Sequence, residues 1–130
     1  MDREELIQRA IAALDHAYAP YSQFKVGAAV LGGSGKIYVG CNVENASYGA
    51  TLCAERVAIG SAIAAGEREI KGIAVVGDTP EVISPCGICR QVLLEFAPTT
   101  VLMGNTQGKW EEKQIEDLLP HGFSGSSLGR

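Results

Sequence analysis

Cysteine 86 and cysteine 89 stand three residues apart in the run Ser-Pro-Cys-Gly-Ile-Cys (84–89), at the start of a predicted helix, so both thiols project from one face. A helix N-terminus favours the thiolate, which is the form of cysteine that binds metal. The Cys-x-x-Cys spacing alone is shared by redox dithiols and structural zinc sites. Cys53 narrows the choice, because it lies just after Thr51 at the start of a second predicted helix. In alternating α/β units the starts of successive helices meet at one edge of the sheet, outside the strand ends. Three thiolates gathered there would hold one zinc ion per chain and leave its fourth position open to water, the arrangement of a catalytic site.

Glu55 points the same way. The stretch 52–65 carries only two charged side chains, Glu55 and Arg56, among small and apolar residues. A carboxylate in such surroundings is unfavourable unless paired or used. Residues two apart do not share a helix face, so Cys53 and Glu55 can reach one site only if Cys53 sits in the entry turn and the metal lies off the helix end. Arg56, three after Cys53, then offsets the negative charge of the thiolates together with the two helix N-termini.

Two other readings of the cysteines remain at this point. A disulfide would be unusual in a reducing compartment and would leave Glu55 without a purpose. A closed four-cysteine site would have to recruit Cys41, which lies in a strand run between Val39 and Val43, where a small buried side chain is the commoner role. His16 falls on the polar face of the first helix and His121 near the C-terminal end, and neither is expected in the site.

The elements that must position these groups are legible in outline. Apolar residues recur at three- and four-residue steps from Leu6 to Tyr18, which predicts an amphipathic helix over 3–18, ended by Ala19-Pro20. Two β-type runs, 24–31 and 36–43, flank Gly32-Gly33-Ser34-Gly35 as a hairpin. An alanine-rich helix is predicted over 52–65, then a buried strand at 73–76. Ser84 as cap and Pro85 in the first turn predict a helix running to about Phe96. Strands are expected at 101–103 and 110–115, and a helical turn before Pro120. This order predicts one α/β domain over 1–130, a mixed sheet covered by helices on both faces, with a loose Gly/Ser-rich tail at 124–130.

Composition limits the partners. The chain has 46% hydrophobic and 20% charged residues, ordinary for a compact globule, and no apolar run approaching a membrane span. Its N-terminal Met-Asp-Arg-Glu-Glu lacks the pattern of a secretory signal, so a cytoplasmic location is expected. The formal net charge is −4, and Arg68, Lys71 and Arg90 are scattered. That argues against a nucleic-acid partner, which calls for clustered lysine and arginine.

Thr-Leu-Cys-Ala-Glu-Arg (51–56) with Ser-Pro-Cys-Gly-Ile-Cys-Arg-Gln (84–91) resembles the signature of the zinc nucleoside and nucleobase deaminases. The stretches 20–29 (Pro-Tyr-Ser-Gln-Phe-Lys-Val-Gly-Ala-Ala), 40–48 (Gly-Cys-Asn-Val-Glu-Asn-Ala-Ser-Tyr) and 118–123 (Leu-Leu-Pro-His-Gly-Phe) narrow the resemblance to the short, homotetrameric cytidine deaminases. The resemblance implies a three-layer α/β/α sandwich around a sheet of about five strands. It also implies hydrolytic deamination of free cytidine and deoxycytidine, with zinc held by Cys53, Cys86 and Cys89 and protons moved by Glu55. Phe24, Asn42, Glu44, Ala54, Tyr48 and Phe123 are implied as the substrate-binding set: Phe24 stacking on the base, Asn42 and Glu44 bonding a ribose hydroxyl. Tyr48 and Phe123 would complete a neighbouring subunit's pocket. An aminonucleoside deaminase shares the three-cysteine site but is not expected to carry the Asn-Val-Glu-Asn of 42–45. A tRNA- or DNA-editing enzyme more typically shows histidine at the position of Cys53 and a basic surface, and a zinc-stapled binding module would hold metal without turnover.

Overall fold

The structure is a computed structural model describing residues 1–130. In chain order it contains α1 (Arg3–Leu14), β1 (Val26–Gly32), β2 (Ile37–Cys41), α2 (Ala54–Ala64) and β3 (Ile70–Gly77). These are followed by α3 (Gly87–Leu94), β4 (Thr100–Asn105), β5 (Trp110–Gln114) and α4 (Ile115–Leu118). Short 3-10 turns lie at Tyr48–Ala50 and Gly125–Leu128, the latter within the Gly/Ser-rich tail expected to be loose.

The five strands form one sheet in the order β2-β1-β3-β4-β5. β3 and β4 are parallel, whereas β1 runs antiparallel to both of its neighbours. Period-two alternation sorts the strand side chains into two cores. Ala28, Val30, Ile73, Val101 and Met103 pack with Ala54, Ala58, Ile59 and Ala62 of α2 and Leu93 of α3. Ala29, Ala74, Val76 and Leu102 face the other way and pack with Leu6, Ile7, Ala10 and Leu14 of α1. The result is the α/β/α sandwich expected from the sequence.

The topology places the site. Because β1 is antiparallel to β2 and to β3, those two strands point the same way, and α2 and α3 begin beyond their C-terminal ends. Both helix mouths therefore open on one sheet edge, where β1 also begins at Val26, paired with Gly77. Gly40 lets α2 lie hard against β2: a Cβ there would fall 2.4 Å from the Ala58 nitrogen and 2.6 Å from the Ala54 carbonyl oxygen. The other end of α2 is closed by the Gly66 and Glu67 N–H groups, which donate to the Ile63 and Ala62 carbonyls.

The strand bounds shift by up to three residues from the sequence expectation, and two helix boundaries differ for physical reasons. α1 ends at Leu14 rather than Tyr18, because the chain leaves the helix to pair with the segment after β2. Tyr18 N–H donates to the Asn42 carbonyl at 3.0 Å, and Glu44 N–H donates to the Tyr18 carbonyl at 2.8 Å. α3 is capped by Cys86, not Ser84, since Arg90 engages the Ser84 hydroxyl and the Pro85 carbonyl and holds them in the entry loop.

Candidate active site

Cys53 and Cys86 are the N-cap residues of α2 and α3, both with extended backbone (ψ 151° and 172°). Neither side chain caps its own helix, so the first N–H groups of both helices remain available to stabilise anionic sulfur. Cys89 lies one turn into α3 and is fully buried. The three Sγ atoms lie within 4.8 Å of one another, and Cys53 and Cys86 are 3.8 Å apart. A tetrahedral zinc with Zn–S bonds of about 2.3 Å places its sulfurs roughly 3.8 Å apart, so the donor set fits that ion in type, number and spacing. Cys41, on β2, is not part of this group.

Charge is concentrated here. The Cys53 thiol is lowered to about 5, first by its contact with Cys89, with Arg56 and Cys86 adding to the effect against its burial. Cys89 moves upward, because a second proton cannot leave easily beside the first thiolate and burial disfavours its charge. Arg56 Nη2 lies 3.1 Å from the Thr51 carbonyl oxygen and 3.7 Å from Cys53 Sγ. Its Nε is buried and has no partner.

Glu55, the second residue of α2, is 4% exposed and lines the same cavity as Cys53 and Cys86. Burial pushes its carboxyl upward; the nearby Cys53 charge adds to this, while its own backbone N–H, the Cys89 thiol and Arg56 pull weakly the other way. A carboxyl pushed upward by burial and facing a cavity is placed to take and return protons.

That cavity is about 480 Å³ and mostly apolar, with Phe24, Val26, Val75 and Ile83 as walls and Asn42, Thr51, Ala54 and Ser84 among the remaining lining. The Phe24 ring rests on the sheet edge, 3.1 Å from where a Cβ on Gly77 would stand. Asn42 is buried and braces this wall: Val26 N–H donates to its Oδ1 at 2.9 Å, and its Nδ2 donates to the Phe24 carbonyl at 2.8 Å. One donor and one lone pair of the amide remain for another partner.

Glu44 lines an adjoining cavity of about 370 Å³, which shares Thr51 with the first and is also lined by Tyr21, Ser22, Asn45 and Tyr48. Its Oε1 accepts from the Tyr21 and Ser22 N–H groups at 2.9 and 3.1 Å, and the Ser22 hydroxyl donates to Oε2. That hydroxyl first, then the backbone donors, hold the Glu44 carboxyl below the usual carboxylate range. Tyr48 and Phe123 lie outside the first cavity and are 76% and 58% exposed. The sequence reading assigned no role to Ser22 and Tyr21, which brace Glu44, or to Val75 and Ile83, which wall the cavity. Ser22 carries only its place in a matched motif as a signal, and Val75 is indistinguishable from any other residue of a buried strand.

An α/β/α domain that brings three thiols and a buried carboxyl to the mouths of two helices, around a mostly apolar cavity, has the donor set and the open cavity of a catalytic zinc site. Residues 1–105 match the family model described as the cytidine and deoxycytidylate deaminase zinc-binding region. The chain is 48% identical over 130 residues to a cytidine deaminase of Halalkalibacterium halodurans, covering 98% of each. It is 40% identical over 130 residues to a cytidine deaminase of Mycobacterium tuberculosis, covering 100% of this chain and 96% of that one. A crystal structure of cytidine deaminase from Burkholderia pseudomallei superposes with a TM-score of 0.90 at 52% identity, over 95% of this chain and 100% of that one. The chain belongs to the zinc-dependent cytidine deaminase family. No helix is long and apolar enough to cross a membrane.

Proposed function

We propose that this chain hydrolyses the amino group from free cytidine and deoxycytidine, yielding uridine or deoxyuridine and ammonia, in cytoplasmic pyrimidine salvage. The observation that carries the reading is the placement of the Glu55 carboxyl inside the cavity that also exposes Cys53 and Cys86. Cys53, Cys86 and Cys89 would hold the zinc, which when bound would supply the Lewis acidity that makes water a nucleophile near neutral pH. Phe24 offers an aromatic face for the pyrimidine, and the apolar walls keep bulk water away from the ring. Glu55 takes the proton of the attacking water and hands it to the ring nitrogen beside the amine-bearing carbon, which becomes electrophilic. As the new C–O bond replaces the C–N bond, Glu55 carries the next proton to the departing amine, which leaves as ammonia. Arg56 offsets the charge of the thiolates beside it.

Asn42, with its unused donor and lone pair, and Glu44, kept anionic by Ser22 and Tyr21, would take the sugar hydroxyls. Ala54 forms part of the cavity floor. The active unit is a homotetramer in which Tyr48 and Phe123 close the pocket of a neighbouring copy. Support for this comes from the family resemblance and from two aromatic side chains left largely uncovered by their own chain.

Steady-state kinetics on cytidine, cytosine, the 5′-monophosphate and a single-stranded oligonucleotide tests the substrate class. Cytidine should exceed cytosine in kcat/KM by as much as about 10⁴ or more, because a site built to bond a hydroxyl leaves buried groups unpaired without it. The acidic Glu44 should disfavour the phosphate. Equal use of cytidine and its monophosphate, or editing of the oligonucleotide, would overturn the nucleoside assignment, and zinc binding without turnover would leave a metal-stapled binding module.

A further inference from the structure

Phe123 carries an exposed ring on a mount built with unusual care. Gln91, two residues beyond the Cys89 ligand on α3, grips both sides of its backbone: Gln91 Nε2 donates to the Phe123 carbonyl at 2.5 Å, and Phe123 N–H donates to Gln91 Oε1 at 3.2 Å. The segment leading to it is pinned as well. Arg90 Nη1 donates to the Leu118 carbonyl at 2.9 Å. The chain then folds back in a turn in which Gly122 N–H donates to the Leu119 carbonyl at 3.2 Å, with His121 in the left-handed region at φ 60°. Gly122 lies close under α3: a Cβ there would fall 2.3 Å from Leu94 Cδ2, and that side chain would have to shift.

A left-handed non-glycine residue is strained, and backbone gripped on both its donor and its acceptor is held in one orientation. Such hardware does nothing for burial, because the Phe123 ring remains 58% exposed. What it does achieve is pre-organisation: a large aromatic fixed before contact loses little conformational freedom when it anchors in a pocket.

We infer that Gln91 is a positioning residue that acts in trans: by fixing Phe123 it sets nucleoside affinity in the neighbouring subunit's active site. The inference rests on the reading above that Phe123 closes that neighbour's pocket. The helix that presents two metal ligands in one subunit is thereby the mount for the next subunit's substrate contact.

The test uses the zinc-loaded tetramer and compares Gln91→Met with Phe123→Ala. Gln91→Met should keep one zinc per chain and the tetramer while raising KM for cytidine about tenfold, with kcat changed by less than about threefold. Hybrid tetramers of Gln91→Met with Glu55→Gln separate trans from cis action. The Glu55→Gln subunits are inactive but carry an intact Gln91 and Phe123, so the surviving Gln91→Met sites should recover a KM near that of the unmodified enzyme. A hybrid KM unchanged from the Gln91→Met homotetramer would overturn action in trans. A raised KM for Phe123→Ala with a normal one for Gln91→Met would overturn the role of Gln91 while leaving the composite pocket standing. A normal KM for Phe123→Ala would remove the composite pocket, and the inference with it. If Gln91→Met fails to assemble, Gln91→Glu, which keeps the acceptor for Phe123 N–H, is judged by the same hybrid criterion.

Discussion

Glu55 and Glu67 are the two buried acidic residues of the chain, 4% and 8% exposed, and they sit at opposite ends of α2. Their surroundings push them in opposite directions. Glu67 Oε1 accepts from Ser34 N–H at 3.1 Å, while its Oε2 accepts from the Tyr38 hydroxyl at 2.8 Å and from the Ser34 hydroxyl. Those donors, Ser34 first and Tyr38 next, hold it below the usual carboxylate range, and the carboxylate ties the β1–β2 hairpin to the turn before β3. Glu55 has its own backbone N–H, the Cys89 thiol and the Arg56 charge to favour its anion, and burial outweighs them. Burial of a carboxylate is therefore not itself a mark of catalysis; burial with too few donors, facing a cavity, is.

The same glutamate-to-glutamine change at the two positions is the sharpest way to break this contrast. Glu55→Gln should lower kcat by about 10²–10⁴ through loss of proton transfer, with fold and zinc content intact. Near-normal turnover in the zinc-replete variant would show that the two carboxylates do not differ in the way their surroundings imply.

Removal of the thiols that surround Glu55 comes next. Alanine at Cys53, Cys86 or Cys89 should abolish zinc retention and activity, whereas Cys41→Ser should keep one zinc per chain by metal analysis. Loss of zinc from Cys41→Ser would mean that the ligand set is drawn wrongly. Arg56→Gln should have a smaller effect, roughly tenfold in activity or zinc retention, through lost charge compensation. If neither quantity moves, Arg56 has no part in the site.

Glu67→Gln should give the smallest functional change, with kcat/KM close to that of the unmodified enzyme and Tm lowered by a few degrees. The sign of its pH dependence follows from the depressed carboxyl. The stabilisation is fully present above the ordinary carboxylate value of 4.5 and is lost as pH falls through the lower folded-state value. The Tm difference between the enzyme and Glu67→Gln should thus be constant well above the ordinary value of 4.5 and shrink as pH falls below it. A gap that widened on acidification would contradict the hydrogen-bonded anion.

Much of the site was legible from local patterns. Cysteines at predicted helix starts and a glutamate in an otherwise apolar helix are statements about a few neighbouring residues, and helix periodicity and capping chemistry are local as well. Even so, Ser84-Pro85 predicted a cap that the fold moves to Cys86, because Arg90 takes up the Ser84 hydroxyl and Pro85 carbonyl. Asn42 and Glu44 had no visible role as supports for the segment carrying Phe24, since their partners lie 16 to 23 residues away.

The sequence by itself singled out the candidate chemistry: three thiols, a carboxyl and an arginine, each recognisable because its type conflicts with or completes its immediate surroundings. The tertiary structure supplied the pairing that brings that chemistry to the expected sheet edge. β1 lies antiparallel between β2 and β3, which turns α2 and α3 to one edge; the β1–β2 hairpin is local, whereas the β1–β3 pairing is a long-range one that no local pattern encodes. It also decided in which direction each buried glutamate is pushed. Glu67 draws its donors from Ser34 and Tyr38, some 30 residues distant, and only the folded chain delivers them.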